Sequence, residues 1–136
     1  MANQIEKYIG IPWLMGGRDE NVGLDCWGWV RYYYEDCLGI ILPTYDGISK
    51  FENGTKDCSN IITHSPTYAD FERFDSPQKD DIAMFMIGGF PIHVGVVVDD
   101  KLMLHADDPR GVIVDNYRSL KWKSRLEGFY RHKDRI

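Results

Sequence analysis

The sequence is short of several things, and each shortage excludes a class of protein. Three cysteines, Cys26, Cys37 and Cys58, cannot all pair, so no disulfide framework is expected. The N-terminus, Met-Ala-Asn-Gln, lacks a basic region followed by an apolar stretch, which argues against a secretory signal peptide and for reduced thiols in a reducing compartment. No apolar run suits a membrane span, because the longest uncharged stretch, Ile82 to Val98, is broken by Gly88, Gly89, Pro91 and His93. Basic charge is in deficit: 16 Lys and Arg against 21 Asp and Glu give a net charge of −5 and a pI near 5.3. General nucleic-acid binding is therefore not expected. Internal repeats and low-complexity tracts are lacking too.

What is present fits one core. The 136 residues suffice for a single domain over 1–136 and not for two ordinary ones. A chain near this size buries roughly two-thirds of the surface its unfolded form exposes. The 43% apolar and 13% aromatic content excludes disordered, collagenous and coiled-coil chains. Charge is uneven: residues 110–136 carry eight basic and three acidic side chains, +5, leaving −10 on the first 109. That segment reads as a solvated basic edge.

The pattern predicts a short helix over Ile5 to Ile9, stopped by Gly10 and Pro12, and a Gly-bearing loop from Gly10 to Leu24. A clear helix follows. Cys26, Val30, Tyr33 and Cys37 step by four, three and four, and Trp29 and Tyr34 widen the same apolar face. Asp25 is the expected N-cap and Gly39 the stop. The polar segment Thr44 to Lys79 has weak periodicity, with a short helix expected near Tyr68 to Phe74. The second half alternates as strands: Asp81 to Ile87, Ile92 to Val98, Leu102 to Ala106, Val112 to Asn116 and Gly128 to His132. Helix first and strands afterwards predicts an α+β domain, the helix packed on an antiparallel sheet.

Cys26 opens the predicted helix, where unpaired N–H groups and the positive end of the helix dipole favour a thiolate. Cys37 falls further along the buried stripe and reads as a small core residue. Cys58 has no helical context. A thiol nucleophile needs a base and a group to orient that base, and two strand histidines are available. His93 shares a strand face with Gly95, which leaves open space beside the imidazole, and with Val97. His105 follows twelve residues later on the next strand. If Val98 pairs with Leu102 across a three-residue loop, Asp99-Asp100-Lys101, His105 lies opposite Gly95 and diagonal to His93, within side-chain reach. A two-residue loop would set the imidazoles on opposite faces unless a bulge corrected the register. The three-residue loop calls for a positive φ, for which Asp100 is the tolerable choice. His64 and His132 have no such geometry and read as surface residues.

These residues form a recognisable set. Tyr8-Ile9-Gly10-Ile11-Pro12-Trp13, Gly16-Gly17, Gly23-Leu24-Asp25-Cys26-Trp27-Gly28-Trp29-Val30-Arg31 and Leu42-Pro43 resemble the NlpC-type cysteine peptidases, in particular the group found in tailed bacteriophages and prophages. Asp80-Asp81-Ile82-Ala83-Met84-Phe85 resembles the family's Gly-Asp-aliphatic strand, with Asp80 in place of the usual Gly. His93-Val94-Gly95-Val96 and Leu104-His105-Ala106 resemble its two histidine strands, and Gly128-Phe129-Tyr130-Arg131 the closing strand of the phage group. The resemblance implies a minimal papain-like α+β domain whose nucleophile heads a helix packed on an antiparallel sheet. It implies Cys26 as nucleophile, His93 as general base and later acid, and His105 as the orienter. Trp13 stands where many members have a tyrosine, and Trp13, Asp25 and Trp27 are the expected pocket residues.

The implied activity is hydrolysis of an amide bond in bacterial peptidoglycan stem peptides, commonly between D-glutamate and a diamino acid, through a thioester. The implied setting is a phage tail, with other tail proteins as partners, made in the host cytoplasm without a signal peptide. A structural tail-tip protein of the same fold with little wall-degrading activity is the alternative. Cys26, His93 and His105 are also of the right type for zinc, but their spacing follows no zinc pattern, so neither metal nor cofactor is expected.

Overall fold

A computed structural model describes residues 3–43 and 70–136. Cys58, His64 and the rest of 44–69 lie outside the described residues. The first helix, α1 (Asn3–Glu6), begins and ends earlier than the sequence pattern suggests, and the chain continues in turns to Gly10. The loop up to Leu24 holds a small hairpin, β1 (Arg18–Asp19) paired antiparallel with β2 (Gly23–Leu24), with Trp13 bridged to Leu24.

Helix α2 (Cys26–Tyr33) starts where its cap dictates. Asp25 is extended, and its Oδ1 accepts from the Gly28 N–H at 2.8 Å, satisfying one of the orphan donors of the first turn. The helix then widens into a π turn, Tyr34–Leu38, and stops at Gly39 in the left-handed conformation (φ 67°). This widening corrects the expectation for Cys37. A π turn advances by more residues per turn than an α-helix, so the apolar stripe slips in phase. Tyr34 becomes fully buried, while Cys37 turns outward and is exposed.

Among the described residues, six strands form one antiparallel sheet in the order β3-β8-β4-β5-β6-β7: β3 (Phe71–Phe74), β4 (Ile82–Ile87), β5 (Phe90–Val97), β6 (Leu102–Asp107), β7 (Gly111–Asn116) and β8 (Leu126–His132). A short helix, α3 (Leu120–Lys123), links β7 to β8. The helix expected near Tyr68 to Phe74 is a strand from Phe71 onward: β3 pairs with β8, Phe71 opposite His132 and Phe74 opposite Phe129. Pairing across the sheet outweighs a weak local preference there.

Each sheet face has its own core. Val94 and Val96 of β5, Leu104 and Ala106 of β6 and Val112 of β7 pack with Trp27, Trp29, Val30, Tyr33 and Tyr34 of the helical segment. Full burial of one such aliphatic side chain is worth roughly 1.5–3 kcal/mol. Ala83, Phe85, Val97, Met103 and Phe129 form the second core with Tyr117 and Trp122. Part of the expected basic edge is internal. Arg131 is buried and grips the fully buried Asp81 with two hydrogen bonds of 2.9 and 2.8 Å, joined by Arg135 at 3.2 Å. His132, expected at the surface, is buried edge-on against Phe71 because β3 covers β8.

Candidate active site

The geometry begins with a hairpin. Val96 pairs with Leu104, Val97 with Met103, and the Val98 N–H donates to the Leu102 carbonyl at 2.8 Å. This is the three-residue-loop register. The loop obtains it differently from the expectation, since Asp100 does not have a positive φ. Instead Asp99 Oδ1 accepts from the N–H groups of Lys101 (2.9 Å) and Leu102 (2.7 Å), so a side chain closes the turn.

This register brings the histidines together. His93 Nε2 lies 2.8 Å from His105 Nδ1, and the rings meet edge to face with centroids 5.0 Å apart. The sequence suggested open space beside Gly95, and the structure corrects this: the space is filled. A Cβ there would meet the His105 Cβ and Met103 Sδ at 3.1 Å and the Leu104 carbonyl oxygen at 3.3 Å. Glycine is needed because the next strand comes in close.

Two further residues complete the cluster, and neither was singled out from the sequence. His105 Nε2 lies 3.1 Å from Asp115 Oδ2, and the same oxygen accepts from Trp122 Nε1 at 3.1 Å. The Trp122 ring stacks on His93, with centroids 5.4 Å apart and planes 22° from parallel. Asp115 had a legible signal: in β7, Val112 and Val114 face α2, which leaves Ile113 and Asp115 on the histidine face. Trp122 had none, because its place depends on how α3 folds back over the sheet.

Cys26 enters from α2. It is the first residue of that helix, and a cavity of about 310 Å³ is lined by Cys26 and His93 together with Trp13, Asp25, Ala106 and Trp122. Asp107 and Asp108 supply negative charge to the cavity, Lys121 and Arg125 positive charge. Trp27 does not belong to it: the side chain is buried and its indole N–H donates to the Pro43 carbonyl at 2.9 Å. Successive helical positions point about 100° apart, so the adjacent Cys26 and Trp27 serve different surroundings. Asp25 does line the cavity, but its carboxylate is committed to Gly28 N–H, Gly16 N–H (3.1 Å) and Arg18 (2.8 Å).

Burial governs the charge states. His105 is fully buried, and desolvation, aided by the neighbouring His93, lowers its pKa to about 4 against the pull of Asp115. It is neutral at ordinary pH. Asp115 is held below the usual carboxylate range, because hydrogen bonds from His105 and Trp122 outweigh its partial burial. Burial, then the neighbouring Cys26, raises Asp25 to about 6 against Arg18 and the two amide donors. No group of three or more His, Cys, Asp or Glu among the described residues is arranged to hold a metal ion. A thiol at a helix start and an imidazole backed by a second imidazole can together perform nucleophilic acyl transfer.

Comparison with known proteins points the same way. The chain is 26% identical over 131 residues to a gamma-DL-glutamyl hydrolase of Bacillus subtilis (strain 168), covering 96% of this chain and 28% of the relative. It is 25% identical over 127 residues to the murein DD-endopeptidase MepS/murein LD-carboxypeptidase of Escherichia coli (strain K12), covering 92% and 57%. The chain thus spans less than two-thirds of the length of either relative. Among solved structures, an NLP/P60 family lipoprotein-like protein of Staphylococcus aureus Mu50 superposes with a TM-score of 0.67 at 23% identity, covering 96% of this chain and 39% of that one. The NlpC/p60 domain of the peptidoglycan hydrolase SagA superposes with a TM-score of 0.61 at 21% identity, covering 96% and 94%. At these identities the superpositions establish the fold. With its family model matching residues 10–131, the chain belongs to the NlpC/P60 family.

Proposed function

We propose that this protein is a cysteine endopeptidase that hydrolyses an amide bond in bacterial peptidoglycan stem peptides. The observation that carries the proposal is the shared cavity: Cys26 at the start of α2 and His93, backed by His105, line the same space. In the proposed reaction His93 accepts the Cys26 proton and the thiolate attacks the substrate carbonyl carbon. As the tetrahedral intermediate collapses, the C–N bond breaks, His93 returns the proton to the leaving amine, and a thioester remains. His93 then deprotonates a water that attacks the thioester, releasing the acid and restoring the thiol.

The cavity suits such a substrate because it carries both signs of charge, Asp107 and Asp108 against Lys121 and Arg125. A stem peptide likewise offers carboxylates and amines. The named activity of the murein endopeptidase relative favours the same substrate class. Mass spectrometry of products from defined muropeptides tests the reading: a new amine and a new carboxyl at one stem-peptide bond are expected, and none with Cys26→Ala. Absence of products from every muropeptide tried would leave the tail-tip structural role as the better account. We also propose, from the motifs shared with the phage and prophage group, that the enzyme acts from a phage tail assembled in the host cytoplasm. Detection of the chain in purified virions tests this, and its absence from them would contradict it.

A further inference from the structure

The hydrogen bonds behind His93 have a direction, and Asp115 sets it. An ionised carboxylate can only accept hydrogen bonds. Asp115 Oδ2 lies 3.1 Å from His105 Nε2 and also receives the Trp122 indole N–H. His105 is neutral and has a single ring proton. Held by the carboxylate, that proton stays on Nε2, which leaves His105 Nδ1 as an acceptor. Among the described residues the nitrogen facing Nδ1 is His93 Nε2, 2.8 Å away, so whenever His93 carries a single ring proton that proton sits on Nε2. The lone pair of His93 is then on Nδ1, the nitrogen not engaged with His105.

We infer that Asp115 is a positioning residue: through His105 it selects the tautomer of His93 in which Nδ1 is the base. The inference rests on the peptidase reading for its kinetic consequence, but the tautomers themselves do not depend on it. Asp115 performs this from β7 while being only partly buried, its side chain 29% exposed. Its second oxygen is only weakly engaged, by the Asn116 N–H at 3.3 Å. The shared contact with Trp122 ties the same carboxylate to the ring that stacks on His93. Replacement by a group that cannot accept would let His105 invert its tautomer, and His93 would follow.

The experiment uses the full chain, labelled with nitrogen-15, and reads the imidazole nitrogens by long-range proton–nitrogen correlation at neutral pH. In the wild type, His105 and His93 should both carry the proton on Nε2. In Asp115→Ala both rings should populate the two tautomers. Turnover should fall about tenfold to a hundredfold at nearly constant KM, less than the hundred- to ten-thousandfold that a whole general base is worth. Asp115→Asn should preserve the wild-type tautomers, because the Trp122 N–H turns the amide oxygen into the Oδ2 position. A wild-type His105 protonated on Nδ1 would overturn the inference. So would unchanged tautomers in a folded Asp115→Ala protein or scrambled ones in Asp115→Asn. If the alanine variant does not fold, the wild-type and asparagine spectra decide. If the protein cleaves no stem peptide, the peptidase reading fails while the spectra still judge the role of Asp115.

Discussion

Gly95 is the residue on which the meeting of the two histidines depends. An added methyl would press on the His105 Cβ and the Leu104 carbonyl, neither of which can swing away as a flexible chain end could. Gly95→Ala is expected to cost about 1–3 kcal/mol by overpacking and to lower turnover by moving His105; urea unfolding and a kinetic assay would show both. Wild-type stability and turnover would refute the tight fit. Cys26 offers a second test. By exposure alone, Cys37 should react first, since it is exposed while Cys26 is 6% exposed. If the helix start and His93 favour the thiolate, an alkylating reagent at mildly acidic pH should modify Cys26 before Cys37 and Cys58. Peptide mapping after partial labelling gives the order, and the reverse order contradicts the nucleophile assignment. Asp80 illustrates a departure from the family pattern that the structure explains. It has φ 73°, the conformation for which glycine is usual, and is held there by Tyr33, whose hydroxyl donates to its carboxylate at 2.5 Å.

At the scale of elements, the β5–β6 hairpin controls the site because a slip of one residue would send His105 to the α2 face. The turn is set by Asp99 and not by backbone strain at Asp100. Asp99→Ala should therefore destabilise by about 1–2 kcal/mol through two lost side-chain hydrogen bonds, whereas Asp100→Ala should stay within about 0.5 kcal/mol of wild type. Thermal unfolding of the pair of variants checks this, and equal effects would mean that the turn is closed by something else. The hairpin also explains how α2 is seated: the Trp29 indole N–H donates to the Leu104 carbonyl at 2.9 Å, fastening the helix to β6 one residue from His105.

At the scale of the molecule, the buried histidine makes stability depend on acid. His105 titrates near 4 when folded and near 6.5 when unfolded. Between those values the unfolded chain holds a proton that the folded one refuses, so its contribution is complete above about pH 6.5 and is lost as pH falls to about 4. The shift corresponds to roughly 3 kcal/mol. Asp25 works in the opposite sense. Raised to about 6 when folded, it takes up its proton before the unfolded chain does and offsets part of the loss over the same range. The difference between wild type and His105→Gln isolates the histidine: the variant should lose less stability between pH 6.5 and 4 by denaturant titration. Parallel curves would show that His105 is not buried as a neutral group. His105→Gln should also keep part of the activity, since the amide can replace the hydrogen bond, while His93→Ala should abolish it.

The α+β class, the helix opening at Cys26, the Asp25 cap and most strand positions are legible in the amino-acid pattern. These follow from local periodicity and from capping chemistry, which a few neighbouring residues express. The pattern also narrowed the loop after β5 to two cases, one of which brings His93 beside His105. The rest came from packing between distant segments. The π turn moved Cys37 out of the stripe its spacing implied, and β3 buried a histidine that had no local reason to be inside. Trp27 went to the core while Trp13, fourteen residues earlier, went to the cavity. Asp115 and Trp122 meet His105 through pairing across β6 and β7 and the return of α3. Periodicity tells which residues share a face, but what covers that face, and which hydrogen-bond partner waits there, is set by segments distant in the chain.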